Sequence, residues 1–236
     1  MKRMIPGSAS LIAVAALFAP ALTAHAQAAQ TKYPNMAPVE QYLMPDRNAE
    51  IALARTAAPP SISGDAQILV LGRDGYEVAV QGTNDFVCLV ERGWAAAIGD
   101  PVFWNPKNRS PICLNGAAAR SYLPISMLKA RLALAGQSQA QIGKALQAAF
   151  DEKKLPAIEP GAMSYMQSKE GYLNDAVGHW HPHVMFFEPL DMAKTWGANL
   201  KDSPILSGDD VTARITIFMI PVARWSDGTP DANAGN

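Results

Sequence analysis

Hydrophobic periodicity changes twice along this chain, and that alone confines it to a mixed fold. Ile68-Leu-Val-Leu71, Tyr76-Glu-Val-Ala-Val80 and Phe86-Val-Cys-Leu-Val90 are short apolar or alternating runs, separated by glycine- and asparagine-bearing stretches at 72–75 and 82–84. Side chains two apart share a strand face, so runs joined in this way predict an antiparallel meander. From Ala117 the spacing becomes helical, with apolar residues at 123, 127, 128, 132 and 134. Ser138-Gln-Ala-Gln141 has the form of a capping box and predicts a second helix from Gln139 to about Lys154, before Pro156 stops it. After Pro160 the alternation returns at 162–166, at 180–188 and, most clearly, at 214–220. A helical pattern over 39–57, interrupted by Pro45, precedes the first strand. The expected fold is a single α+β domain over 38–227. It comprises an antiparallel sheet, a central helical pair and an N-terminal helix. The proline- and tryptophan-rich stretch 93–115 reads as an irregular excursion between sheet and helices.

The ends bound the setting. Lys2 and Arg3, an apolar run at 11–22 and the small-x-small site Ala24-His25-Ala26 predict a signal peptide over 1–26. The run is too short for the roughly 20 residues that span a bilayer. The expected localisation is therefore periplasmic or secreted. Loss of Lys2 and Arg3 leaves 18 basic against 21 acidic residues, a net charge of −3. This balance holds no basic excess for nucleic acid. No later run is apolar and long enough to form an integral membrane segment. Residues 27–37 read as a flexible leader, and 228–236, built only of Gly, Thr, Pro, Asp, Ala and Asn, as a disordered tail. An even cysteine count in an oxidising compartment predicts a disulfide between Cys88 and Cys113. A buried free thiol and a metal-bound thiolate are the alternatives.

Chemistry concentrates in one place. Of four histidines, His25 falls in the signal segment, and His179, His181 and His183 occupy Gly178-His-Trp-His-Pro-His183. In an extended run these rings project to one face, and imidazole is the commonest protein metal ligand. The outer two would stand roughly 13 Å apart on an ideal strand. Two rings at a time, with Pro182 setting the bend and a carboxylate completing the set, is the more natural site. Glu188 is the local carboxylate, so the candidate ligands are His179, His181, His183 and Glu188. Zinc or copper suits them better than magnesium or calcium, which prefer oxygen. The expected partner is a metal or small-molecule ligand. An enzyme built on this site would use a metal-bound water for hydrolysis or oxidation. A metal-free pocket with a catalytic histidine is an alternative. So is a non-catalytic envelope or secreted binding protein whose histidines are structural or shape a recognition surface.

His181-x-His183-x-x-x-x-Glu188 is similar to the first metal motif of cupins, which implies barrel strands and a transition metal. The second histidine motif of that family has no counterpart after His183. Ser126-Met-Leu-Lys129, Tyr172-Leu-Asn174 and Lys194-Thr-Trp-Gly197 follow the order of the serine β-lactamase and penicillin-binding-protein motifs, with Trp196 interrupting the third. That resemblance implies a serine hydrolase. The segments 75–90, 161–166, 178–183 and 196–200 together resemble exported bacterial proteins of uncharacterised function. This likeness implies a shared fold and an exported setting, and no activity.

Overall fold

Gly72-Arg-Asp-Gly75 closes the first hairpin. β1 (Gln67–Gly72) and β2 (Gly75–Val80) pair antiparallel with Gly72 opposite Gly75, which takes φ 133°. The chain then leaves the meander expected of it. β3 (Val87–Glu91) does not add beside β2; it runs parallel to β1 on the other edge, Gln67 opposite Val87 and Ile68 opposite Cys88. Gly82 makes the crossing possible. A Cβ there would lie 2.3 Å from Gln67 N and 2.9 Å from the Ala66 carbonyl carbon, so only glycine lets the backbone pass the start of β1 this closely. The Thr83 and Asn84 amides both donate to Asp65 O and fix the passage.

The computed structural model describes residues 32–232, which lie in one compact unit spanning 31–236. The expected signal peptide over 1–26, residues 27–31 and the last residues 233–236 fall outside the described part. Five further strands complete the sheet: β4 (Ser110–Leu114), β5 (Met163–Met166), β6 (His183–Pro189), β7 (Leu206–Asp210) and β8 (Ile215–Pro221). The eight-stranded order is β2-β1-β3-β4-β5-β6-β8-β7. Every neighbouring pair is antiparallel except β1 and β3, so the sheet is mixed rather than antiparallel throughout.

β4 lies in the stretch expected to be irregular. Its Pro111 is tolerated because β5 reaches only Cys113 and Leu114, leaving β4 an edge on that side at the proline. β7, Leu-Ser-Gly-Asp-Asp, carries no apolar alternation and forms the outer edge.

The helices follow their caps. α1 (Arg47–Arg55) starts where the Asp46 carboxylate accepts from the Asn48 amide, one residue after Pro45. α2 (Pro60–Ser63) is a single turn. The helix expected from Ala117 is divided into α3 (Gly116–Ser121) and α4 (Leu123–Leu134), with Pro124 in the first turn of α4 where its missing N–H costs nothing. α5 (Gln139–Asp151) opens on the capping box of Ser138 and Gln141. No described helix is long and apolar enough to cross a membrane.

Strand alternation sorts the core into two layers. Ile68, Cys88, Val90 and Cys113 pack with Leu53 and Ala54 of α1 and with Ala57 just beyond it. Leu69, Leu89, Ile112 and Leu114 pack with Ile125 and Ala130 of α4 and Ile142 and Leu146 of α5. Cys88 stands opposite Cys113 in the β3–β4 register, and the two are joined by a disulfide on the α1 face. Closing that loop is worth roughly 3 kcal/mol on the loop-entropy estimate.

Both expected flexible ends are held over their described parts. Tyr33, Met36 and Ala37 of the leader pack on the core. Beyond β8 the tail turns at Asp227-Gly228, pairs Arg224 with Pro230 and buries Asp231.

Candidate functional site

The histidine segment is not one strand. Only His183 belongs to β6; His179 and His181 precede it in irregular chain. A tight turn sets them there. The Asn174 side chain accepts from the Ala176 and Val177 amides, Gly178 N donates to Asn174 O, and Gly178 takes φ 64°. The turn is pinned by Asp175, whose carboxylate accepts from Lys32 Nζ (2.5 Å), Tyr33 OH (2.6 Å), Lys107 Nζ (3.3 Å) and Tyr172 OH. Those donors, Lys32 first, hold the Asp175 carboxyl well below the usual carboxylate range. It is thereby committed to the turn and not to the histidines.

The three rings have separate partners. His183 is buried, and its Nδ1 lies 2.7 Å from His181 O. A carbonyl oxygen only accepts, so Nδ1 carries the proton and the neutral ring presents a bare lone pair at Nε2. Burial lowers the His183 pKa from its ordinary 6.5, against the opposing pull of that hydrogen bond. His181 is 30% exposed, and its Nδ1 meets Asp231 Oδ2 at 2.6 Å, a carboxylate that is itself only 3% exposed. An ionised carboxylate only accepts, so His181 donates to it from Nδ1. His179 stands edge-on to Trp225, their ring centres 5.4 Å apart. Trp180 lies edge-on to His181 and His183, at 5.8 and 4.8 Å.

His179 and His183 line one cavity together with Trp180, Pro111, Met166 and Ser168. Its volume is about 20 Å³, room for about one water molecule. His181 does not line it. Glu188 is also separated from this group. Five residues from His183 on the same strand, it falls on the opposite face, as the alternating burial of β6 shows, with His183, Met185 and Phe187 inward. The cupin-like spacing therefore does not bring its carboxylate to the rings. Among the described residues no three His, Cys, Asp or Glu side chains come together as a metal-ligand group. Comparison with protein-family models, curated proteins and solved structures returns no match.

The serine-hydrolase motifs do not assemble either. Ser126 is buried and donates to Glu91 Oε1 at 2.6 Å, while buried Lys129 pairs with Asp210 at 2.9 Å. Tyr172 is engaged with Asp175 in the histidine turn. Tyr165 packs on Phe86 in the α1 layer, away from the rings.

The residue that sequence alone passed over is Asp231. Its signal was present in Asp227-Gly228-Thr229, a turn that sends the chain back over the fold. There Asp227 Oδ1 accepts from Thr229 N (2.9 Å), Trp225 N donates to Thr229 O (2.9 Å) and Asp231 N donates to Ala223 O (3.0 Å).

Proposed function

We propose that this chain is an exported binding protein whose histidine segment takes one zinc or copper ion between His179 and His183. The observations that carry this are the committed Nδ1 of His183, which leaves Nε2 as the free lone pair of that ring, and the small cavity that His183 lines together with a second imidazole. Two protein ligands leave the remaining positions of a four-coordinate ion to water or to an incoming small ligand. The cavity's size fits a single ion and not a large organic substrate. The Cys88–Cys113 disulfide and the N-terminal signal pattern support the exported setting.

Zinc and copper titrations of untagged protein, followed by elemental analysis, test the proposal. About one equivalent should be retained, and His183→Ala or His179→Ala should weaken it by about tenfold or more. Retention below about a tenth of an equivalent from either metal would sink it. Acid should release the ion, because a protonated imidazole has no lone pair to give. Since burial depresses the His183 pKa, that ring keeps its lone pair to a lower pH than a free imidazole would.

A second reading rests on the His181–Asp231 pair. A buried carboxylate behind a partly exposed imidazole is the arrangement of a general base. An Asp231→Asn variant separates the two: it should leave metal retention within about a few-fold, yet abolish any metal-independent activity that depends on His181.

A further inference from the structure

α4 and α5 leave a groove open along their seam, away from the histidine segment. Pro124, Met127 and Leu128 wall it from α4, and Ala145, Ala148 and Ala149 from α5, each set at i, i+3 and i+4 so that both helices turn one apolar row toward the same space. The groove encloses about 530 Å³, inside the range of small-molecule sites. Bulky side chains on α4 face alanines on α5, and this mismatch keeps the two helices from filling the gap themselves.

Charge gives the groove a direction. One end is closed by Arg131, a turn beyond Leu128; the other carries Glu152 and Lys154, which pair with each other at 2.5 Å. No carboxylate among the described residues pairs with Arg131. Leu155, at the Glu152–Lys154 end, also lines a second cleft of about 280 Å³ beside Phe150, Ile158 and Pro189, whose two cations are Lys153 and Arg214, the latter paired with Asp151. The groove thus runs from an uncommitted cation, over apolar walls, to Leu155.

We propose that it binds a medium-chain alkyl carboxylate, the carboxylate on Arg131 and the chain lying along the seam toward Leu155. A planar guanidinium offers paired donors that match a carboxylate, and the apolar walls take the methylenes at roughly 0.8 kcal/mol for each one buried. An amphipathic helix is the other occupant such seams accept, but the alanine wall of α5 offers it little relief to grip.

The test is calorimetric titration of the full chain with decanoate, with decylammonium as the charge-reversed probe. Decanoate should bind one per chain below its micellar concentration, and decylammonium at least about tenfold more weakly. Arg131→Gln should weaken decanoate by about tenfold, and Ala148→Phe should abolish binding by filling the groove. Both positions are exposed, so the variants should melt with the parent. No binding of decanoate, equal binding of decylammonium, affinity unmoved by both variants, or a concentration-dependent dimer that Ala148→Phe disrupts would each overturn the proposal.

Discussion

Glu91 and Arg92 are adjacent and both buried, yet they face opposite layers of the sheet. Arg92 turns toward α1, where it pairs with Glu50 at 2.8 Å and donates from Nε to Tyr42 O at 2.7 Å. Glu91 turns toward α4 and meets only hydroxyls, Ser126 at 2.6 Å and Tyr122 at 3.3 Å. Burial pushes its carboxyl above the usual 4.5, against the lowering influence of Ser126 and of the Lys129 charge. A carboxyl raised in the folded state favours folding while it is protonated. That contribution is complete below the unfolded value and is lost as the pH rises through the folded one. Glu91→Gln keeps an oxygen for Ser126 and removes the ionisation. The variant should therefore gain on the parent in denaturant stability as the pH rises above the ordinary 4.5 of a glutamate. A gap that stays constant from pH 4.5 upward would show that Lys129 already compensates the charge. Arg92 should behave in the opposite way. Replacing it with Met strands Glu50 in the core and should cost about 3–5 kcal/mol, measured by the same unfolding curves.

At the scale of elements, what the sequence makes legible is local. The capping box at Ser138 starts α5 where its spacing says, and the strand runs around Ile68, Tyr76, Met163 and Ile215 lie in strands. Pairing is not local, and there the reading fails. β3 takes the far edge of β1 because Gly82 lets the chain pass, and no hydrophobic period encodes a close backbone approach. β4 hides behind Pro111, and β7 has no apolar alternation because an outer edge needs none. Gly82→Ala tests the crossing directly. The new Cβ would meet the backbone of Gln67 at 2.3 Å, and no side-chain rotation relieves such a clash. The expected cost is about 2 kcal/mol or more, read as a shift in the urea midpoint. An unchanged midpoint would mean that β3 can find its place by another path.

At the scale of the whole molecule, the histidine segment is suspended between the first and last of the described residues. Lys32 and Tyr33 grip the turn before it through Asp175, and the returning tail grips it from behind through Asp231 and Trp225. The histidines themselves announce the location, but their grouping depends on these distant contacts. His183 points inward because β6 alternates, Glu188 points outward for the same reason, and His181 is diverted to a carboxylate 50 residues away. A composition of small and polar residues gives no warning that residues 228–232 return over the fold, since their contribution is one buried carboxylate and a turn rather than an apolar stripe. Removing residues 227–236 should therefore separate scaffold from site. β8 ends at Pro221 and its pairings with β6 and β7 lie wholly upstream, so the sheet should persist with a nearly unchanged melting temperature. The segment 179–183 should loosen instead, with hydrogen exchange faster by about tenfold or more and new proteolytic cleavage between Gly178 and His183. Protection of 179–183 equal to that of the full chain would show that β6 and the Asp175 turn hold the rings unaided, and that Asp231 only trims the position of His181.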